Sequence, residues 1–69
     1  MNQIRILLHD GTSLILPEDE ILCEISDVLL SFTNPTDYLE IEKSYGRMLV
    51  LNKGYIVGIN VEEVDEQWD

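Results

Sequence analysis

The chain contains one histidine, His9, and it stands next to Asp10. A carboxylate beside an imidazole can orient the ring and raise its basicity, which is the arrangement of a general base. Adjacent residues in a hairpin turn point in different directions, however, and the following Gly11 makes Asp10 a turn former. We therefore expect this pair to shape a turn, and we predict no catalytic residue and no enzymatic activity.

The single cysteine, Cys23, is the other candidate nucleophile. Its sequence neighbours include Glu20 and Glu24, and nearby carboxylates raise the pKa of a thiol, so the reactive thiolate is disfavoured. A lone cysteine closes no intramolecular disulfide, and no Cys-x-x-Cys pair is present to hold a metal. We expect Cys23 to be a half-buried apolar residue in a fold that uses no cofactor.

Carboxylates outnumber basic side chains by 14 to 4 and give the 69-residue chain a formal charge of −10. Acidic runs at residues 18–20 and 62–66 could bind a hard cation, but neither has the ligand spacing of an EF-hand loop. A charged helix start and a solvated face account for such runs. The glycines are scattered among turns and strands, so no phosphate-binding loop is indicated. We expect no metal site.

The charge also decides which partners suit this chain. Nucleic acids and anionic membranes need a basic footprint, so we expect the protein to bind neither directly. A field of one sign speeds encounter with oppositely charged proteins, which favours a partner with a basic surface. Tyrosine and tryptophan dominate the energetics of protein interfaces. We predict partner contacts at aromatic residues near strand ends and at C-terminal carboxylates: Tyr38, Tyr45, Tyr55, Glu62, Glu63, Asp65, Glu66 and Trp68.

The first element that positions these side chains is a hairpin. Two apolar runs, at residues 4–8 and 13–16, flank the turn sequence His9-Asp10-Gly11-Thr12. Asp-Gly between two such runs is typical of a β-hairpin with a type I′ turn, in which both central residues have positive φ.

A helix is predicted next, because apolar residues recur every three or four positions between residues 18 and 32. Pro17 suits the first helical turn, and Asn34-Pro35 ends the pattern. The predicted buried stripe consists of Ile21, Leu22, Ile25, Val28, Leu29 and Phe32.

Three further extended runs follow, at residues 38–42, 47–51 and 55–61. Only the first alternates cleanly between apolar and acidic residues, whereas the other two are apolar on both faces. Turn sequences Ser44-Tyr45-Gly46 and Asn52-Lys53-Gly54 connect the runs, which predicts a three-strand meander.

The order β-β-α-β-β-β predicts a single small α+β domain over residues 1–61. We expect a bent antiparallel five-stranded sheet, or a partly open barrel, covered by the one helix. Residues 62–69 contain five carboxylates without periodicity and are predicted to form an acidic C-terminal tail. We recognise no signal peptide or membrane span, so we expect a cytoplasmic protein.

One helix covers only one face of a sheet, so the two-sided apolar runs need a second cover. We expect a homodimer or higher homo-oligomer that contacts itself through residues 48–61, where acidic residues are absent. The leading hypothesis is a small acidic interaction protein, such as a phage-encoded inhibitor or adaptor, in one variant a mimic of nucleic-acid phosphates. The alternative is a small-ligand binder or sequestering protein with its pocket at a subunit interface, and Arg47, Asn52, Lys53 and Asn60 as donors.

Overall fold

The computed structural model describes residues 1–64, which form five strands and one α-helix. In chain order the elements are β1 (Asn2–Leu8), β2 (Ser13–Pro17), α1 (Ile25–Thr33), β3 (Tyr38–Lys43), β4 (Arg47–Asn52) and β5 (Ile56–Glu63). Short 3₁₀ turns lie at Glu18–Glu20, Ser44–Gly46 and Lys53–Tyr55. The strands form two antiparallel sheets, ordered β2-β1-β5 and β3-β4. The predicted small antiparallel α+β fold is confirmed, but these strands do not close into a barrel.

β1 and β2 form the predicted hairpin, although its turn type differs from the expected one. The Leu8 carbonyl accepts a hydrogen bond from the Gly11 N–H at 3.1 Å, and the Leu8 N–H donates to the Thr12 carbonyl at 2.9 Å. Gly11 has a φ of +92°, whereas the φ of Asp10 is not positive. The turn is therefore a three-residue type I turn with a glycine bulge instead of type I′. The Asp10 carboxylate stabilises it by accepting the Thr12 N–H at 2.9 Å.

The predicted three-strand meander is wrong, because β5 pairs with β1 and not with β4. The side chain of Asn52 accepts a hydrogen bond from the Gly54 N–H at 2.8 Å, and a 3₁₀ turn forms instead of a tight hairpin turn. Gly54 does not adopt the positive φ that a primed hairpin turn needs. The His9 N–H then donates to the Tyr55 carbonyl at 3.0 Å and anchors the chain beside β1.

The helix begins at Ile25 and not at Pro17, so the predicted helix start is also wrong. Pro17 ends β2, and Ile21 is extended, buried and bridged to β3. Burying Ile21 in this bridge prevents a helix from starting earlier. Glu24 and Asp27 form a capping box that starts α1 instead.

The core lies between the two sheets and the helix. It consists of Ile4, Ile6, Leu16, Ile21, Val28, Leu39 and Ile41. Val28 is the helical residue in this core, at 2% exposure, whereas Leu22 of the predicted stripe precedes the helix and is 64% exposed. Within residues 1–64, no helix is long and apolar enough to cross a membrane.

β5 continues past residue 61, the predicted end of the domain. Glu62 lies opposite Gln3 and Glu63 opposite Asn2 in the ladder with β1. The Val64 N–H donates to the Met1 carbonyl at 2.8 Å. Of the tail predicted at residues 62–69, residues 65–69 lie outside the described part of the chain.

We predict that Val28→Asp unfolds the protein, because it places an unpaired carboxylate in the core. The penalty is several kcal/mol, against the about 3–5 kcal/mol of stability expected for a domain of this size. Leu30→Asp is the matched control on the same helix, since Leu30 is 61% exposed. Circular dichroism melts of both variants test this. A cooperative melt of Val28→Asp near that of the native protein contradicts the packing of α1.

Candidate functional site

The three predicted tyrosine contacts are exposed, but they do not form a single patch. Tyr38 lies opposite Asn52 at the end of β4, and Tyr55 follows in the next 3₁₀ turn. Tyr45 lies in the turn at the opposite end of the β3-β4 hairpin, and a strand of this length separates the two ends by about 20 Å. Three other predicted contacts, whose roles stay predictions, lie outside the described residues: Asp65, Glu66 and Trp68.

Tyr45 is held in a strained backbone conformation on the surface. Its φ is 64° and its ψ is 31°, and its side chain is 96% exposed. The left-handed region costs a residue other than glycine about 1 kcal/mol or more. With so little of its ring buried, Tyr45 gains little packing in return. Backbone strain of this kind occurs often at functional sites.

The Tyr45 turn lies beside an acidic turn that the sequence reasoning did not select as a binding surface. The Ser44 hydroxyl donates to the Asp19 carbonyl at 3.5 Å, and the Ile21 bridge to β3 lies between the same two segments. The 3₁₀ turn Glu18–Glu20 presents three exposed carboxylates here. We call this combination of Glu18–Glu20 and Tyr45 the acidic-aromatic surface. Its acidic run could be found in the sequence, but its position beside Tyr45 depends on the bridge.

Glu62, another predicted contact, is used within the fold. Its Oε1 accepts a hydrogen bond from the Gln3 amide at 2.9 Å, and both carboxylate oxygens lie 3.1 Å from the Arg5 Nε. The hydrogen bonds from Gln3 and Arg5 hold the pKa of Glu62 below its ordinary value. A basic partner must therefore compete with Arg5 for this carboxylate. Glu63, the next residue, is exposed.

Charge is distributed unevenly along the chain. Residues 47–61, which we call the carboxylate-free ribbon, contain no Asp or Glu but include Arg47 and Lys53. The ribbon covers β4, the following 3₁₀ turn and most of β5. Exposed apolar side chains lie along it at Met48, Val50, Val57 and Val61. All 14 carboxylates lie elsewhere in the chain, and two of them, Glu40 and Glu42 of β3, lie directly opposite Val50 and Met48.

The four donors expected for a small ligand do not converge. The Lys53 ammonium donates to two carbonyl oxygens at the end of α1, both at 2.7 Å, where a cation stabilises the helix terminus. Arg47 and Asn52 lie at opposite ends of β4, and each bonds to its own turn. Asn60 is exposed on β5.

An open cavity of about 330 Å³ lies between the first hairpin and the end of β4. Its lining residues are Leu8, His9, Asp10, Val50, Leu51, Asn52 and Tyr55. The His9 and Tyr55 rings stack with their centroids 4.8 Å apart and 17° between their planes. No local pattern indicated this contact, because it depends on β5 pairing with β1.

The Asp10 carboxylate is directed to Thr12 and forms the turn. It accepts hydrogen bonds from the Thr12 hydroxyl at 2.6 Å and from the Thr12 N–H at 2.9 Å. These bonds hold the pKa of Asp10 below its ordinary value, with a smaller contribution from the nearby His9. The turn-forming role expected for Asp10 is therefore the one observed.

Cys23 is half-buried, as expected. Burial raises the pKa of its thiol, and the carboxylates of Asp27 and Glu42 raise it further, so the thiolate is disfavoured. In the described part of the chain, no three His, Cys, Asp or Glu side chains are grouped so that they could hold a metal ion.

The chain matches no protein-family model, and comparisons with curated proteins and with solved structures give no significant match.

We predict that Tyr45→Asn stabilises the protein by about 0.5–1 kcal/mol, because asparagine adopts the left-handed region more readily than tyrosine. Tyr38→Asn is the control, since Tyr38 is also exposed but lies in extended backbone. It is expected to leave stability unchanged or lower it. Urea denaturation measures both. A Tyr45→Asn protein less stable than the native one would show that the tyrosine ring packs on the fold.

The lowered pKa of Glu62 predicts a pH-dependent contribution to stability. A carboxylate whose pKa is lower when folded stabilises the fold above its unfolded pKa, and this contribution is lost as pH falls through the folded value. Glu62→Gln is therefore expected to melt below the native protein at neutral pH, and the difference shrinks below about pH 4. Glu63→Gln is the neighbouring control. A melting difference for Glu62→Gln that stays constant with pH rules out this linkage.

Proposed function

We propose that this protein is a small acidic, non-enzymatic interaction protein that self-associates and binds a partner with a basic surface, as an inhibitor or adaptor does. The observation that carries the proposal is the segregation of charge. Carboxylates are spread over the 3₁₀ turn Glu18–Glu20, the helix start, β3 and the end of β5, whereas residues 47–61 contain none. The two kinds of surface suit two kinds of contact.

Self-association is supported by the carboxylate-free ribbon. Its exposed apolar side chains include Met48 and Val50 on β4, and Val57 and Val61 on β5. Such side chains favour burial, and the ribbon itself contains no carboxylate that would oppose it. A homodimer that forms through the ribbon buries some of these side chains and leaves the carboxylates exposed to solvent.

Binding of a basic partner is supported by the acidic-aromatic surface. Three carboxylates attract a basic protein, and Tyr45 supplies a large exposed ring that can be buried on contact. The strained backbone at Tyr45 lowers stability, so a role in binding would account for a tyrosine at this position of the turn. We place this function in the cytoplasm, where a free thiol such as Cys23 stays reduced.

Two charge-matched variants test the acidic-aromatic surface, with a fluorescent oligolysine peptide as the probe. One variant carries Glu18→Gln, Asp19→Asn and Glu20→Gln, and the other Glu63→Gln, Asp65→Asn and Glu66→Gln. We expect the first to weaken binding about tenfold, or about 1.4 kcal/mol, and the second to weaken it less. Fluorescence anisotropy measures both affinities.

Equal losses in the two variants would show that total charge alone attracts the peptide, without a defined surface. A larger loss in the second variant would assign binding to the C-terminal carboxylates. The electrostatic form of the proposal also requires binding to weaken as salt rises. An affinity that is unchanged between low and high salt contradicts it.

The second candidate function is binding of a small ligand at a subunit interface, and the cavity beside the His9–Tyr55 stack favours it. Val50 of β4 borders this cavity, so a second copy that covers β4 also narrows the cavity mouth. Equilibrium dialysis against metabolites and nucleotides tests this function, with Tyr55→Ala as the variant that opens the cavity wall. Binding that Tyr55→Ala does not change argues against this cavity.

A further inference from the structure

Three of the four strand edges in residues 1–64 carry features that hinder pairing with another strand. β2 ends in Pro17, which has no N–H to donate. β3 is covered by the preceding segment, whose Leu22 N–H donates to the carbonyl of Glu42 at 3.0 Å. β5 has a β-bulge at the Leu7-Leu8 step of its partner strand and ends in two glutamates. Proline, coverage, bulges and charge are the usual means by which proteins protect sheet edges.

β4 lacks these features except for one charged residue, Arg47, at its first position. Its six residues contain no proline, glycine or carboxylate, and its register with β3 is regular from end to end. Among residues 1–64 no strand pairs with its outer edge. Met48 and Val50 are about half-exposed on the face that also carries Glu40 and Glu42 of β3. An open apolar edge of this kind is a template for pairing with another strand.

The ladder with β3 determines which main-chain groups of β4 lie at this edge. Alternate residues of an antiparallel strand direct their N–H and C=O groups to the same neighbour. The Lys53 N–H donates to the Asp37 carbonyl at 2.9 Å, so these two residues form a hydrogen-bonded pair. In this register the next hydrogen-bonded pairs are Leu51 with Leu39 and Leu49 with Ile41. The main-chain groups of Leu49 and Leu51 therefore face β3.

By the same alternation, the N–H and C=O groups of Met48, Val50 and Asn52 point away from β3. Within residues 1–64 no other strand pairs with this edge. Three evenly spaced residues whose main-chain groups face an open edge are the requirement for adding a further antiparallel strand.

We propose that β4 is the docking site for a second copy of the chain, by antiparallel pairing of β4 with β4 about a twofold axis at Val50. This inference rests on the self-association in the proposed function and gives it a site. Centred on Val50, the pairing places Met48 of one copy opposite Asn52 of the other. The outward main-chain groups of Met48, Val50 and Asn52 then all face the second copy. Leu49 then lies opposite Leu51 on the inner face. The two hairpins join into one sheet of order β3-β4-β4-β3.

Charge favours a second copy at this strand over the edges of β3 and β5, which carry glutamates, whereas β2 has no carboxylate but ends in Pro17. Each copy has a charge of −10, so contact is least costly where neither partner brings a carboxylate into the ladder. β4 against β4 meets this condition, because Arg47 is the only charged residue of the strand. The nearest carboxylates on the outer face, Glu40 and Glu42, are one strand away, at about 5 Å. Salt should therefore strengthen the dimer by screening the remaining repulsion.

Val50→Pro tests the docking site. The N–H of Val50 faces the open edge, so a proline at this position leaves the ladder with β3 intact but removes one hydrogen-bond donor from each copy in the dimer. We expect the dissociation constant to rise at least about tenfold. Ile15→Pro is the matched control. The Leu8 N–H donates to the Thr12 carbonyl, so Thr12 faces β1 and, by alternation, the N–H of Ile15 faces the open edge of β2. Ile15 and Val50 are similarly exposed, at 47% and 51%.

Sedimentation equilibrium at low and high salt is measured for the native protein and both variants, with circular dichroism as the check on folding. The inference requires a native dimer that strengthens with salt, retention of that dimer in Ile15→Pro, and its loss in Val50→Pro. If Val50→Pro does not fold, Val50→Lys replaces it. This variant keeps the N–H, lowers the net negative charge and places two ammonium groups together at the axis, so it must also weaken the dimer.

A native dimer that persists unchanged in folded Val50→Pro or Val50→Lys overturns the β4 site while leaving self-association in place. Equal weakening by Val50→Pro and Ile15→Pro overturns it as well. A native protein that is monomeric at both salt concentrations overturns the inference together with the self-association in the proposed function. Binding to the oligolysine peptide is measured separately and does not depend on this result.

Discussion

The arrangement of this fold depends on β1, the strand that has neighbours on both sides within residues 1–64. Its Ile4 and Ile6 are fully buried, and β2 and β5 extend the sheet on either side. Because β5 completes this sheet, β4 pairs with β3 alone. The open edge of β4 and the position of Tyr55 beside His9 both follow from that choice of partner. One long-range pairing thus creates both the open edge of β4 and the His9–Tyr55 contact.

The proposed function assigns partner binding to the acidic-aromatic surface and self-association to the carboxylate-free ribbon, because the two differ in charge. The acidic-aromatic surface combines Glu18–Glu20 with Tyr45, whose left-handed backbone is not offset by much buried area. In the proposed function, stability and binding have opposing demands at Tyr45. The carboxylate-free ribbon instead has exposed apolar side chains and, within residues 1–64, an outer edge of β4 that pairs with no strand. A dimer formed through the ribbon keeps both acidic-aromatic surfaces available, since the 3₁₀ turns that form them lie outside β4.

Local patterns in the sequence predicted the local structure well. The hairpin, the existence of a helix and the strands β3 and β4 all have clear turn residues or periodicity. The start of the helix was not predictable, because Ile21 continues the helical spacing although it is buried in an extended bridge. The partner of β5 was missed because Asn52 and Gly54 suit a 3₁₀ turn as well as a hairpin. The exposure of Tyr45 followed from its turn, but its acidic neighbours required tertiary structure.

Amide hydrogen exchange along β4, followed as a function of protein concentration, shows whether a second copy pairs with this strand. In dilute solution we expect slow exchange at Leu49 and Leu51, which face β3, and fast exchange at Met48 and Val50. At high concentration Met48 and Val50 become protected as the second copy pairs with them. Fast exchange of Met48 and Val50 at every concentration contradicts the account. So does protection that is already complete in dilute solution, because the edge is then covered without a second copy.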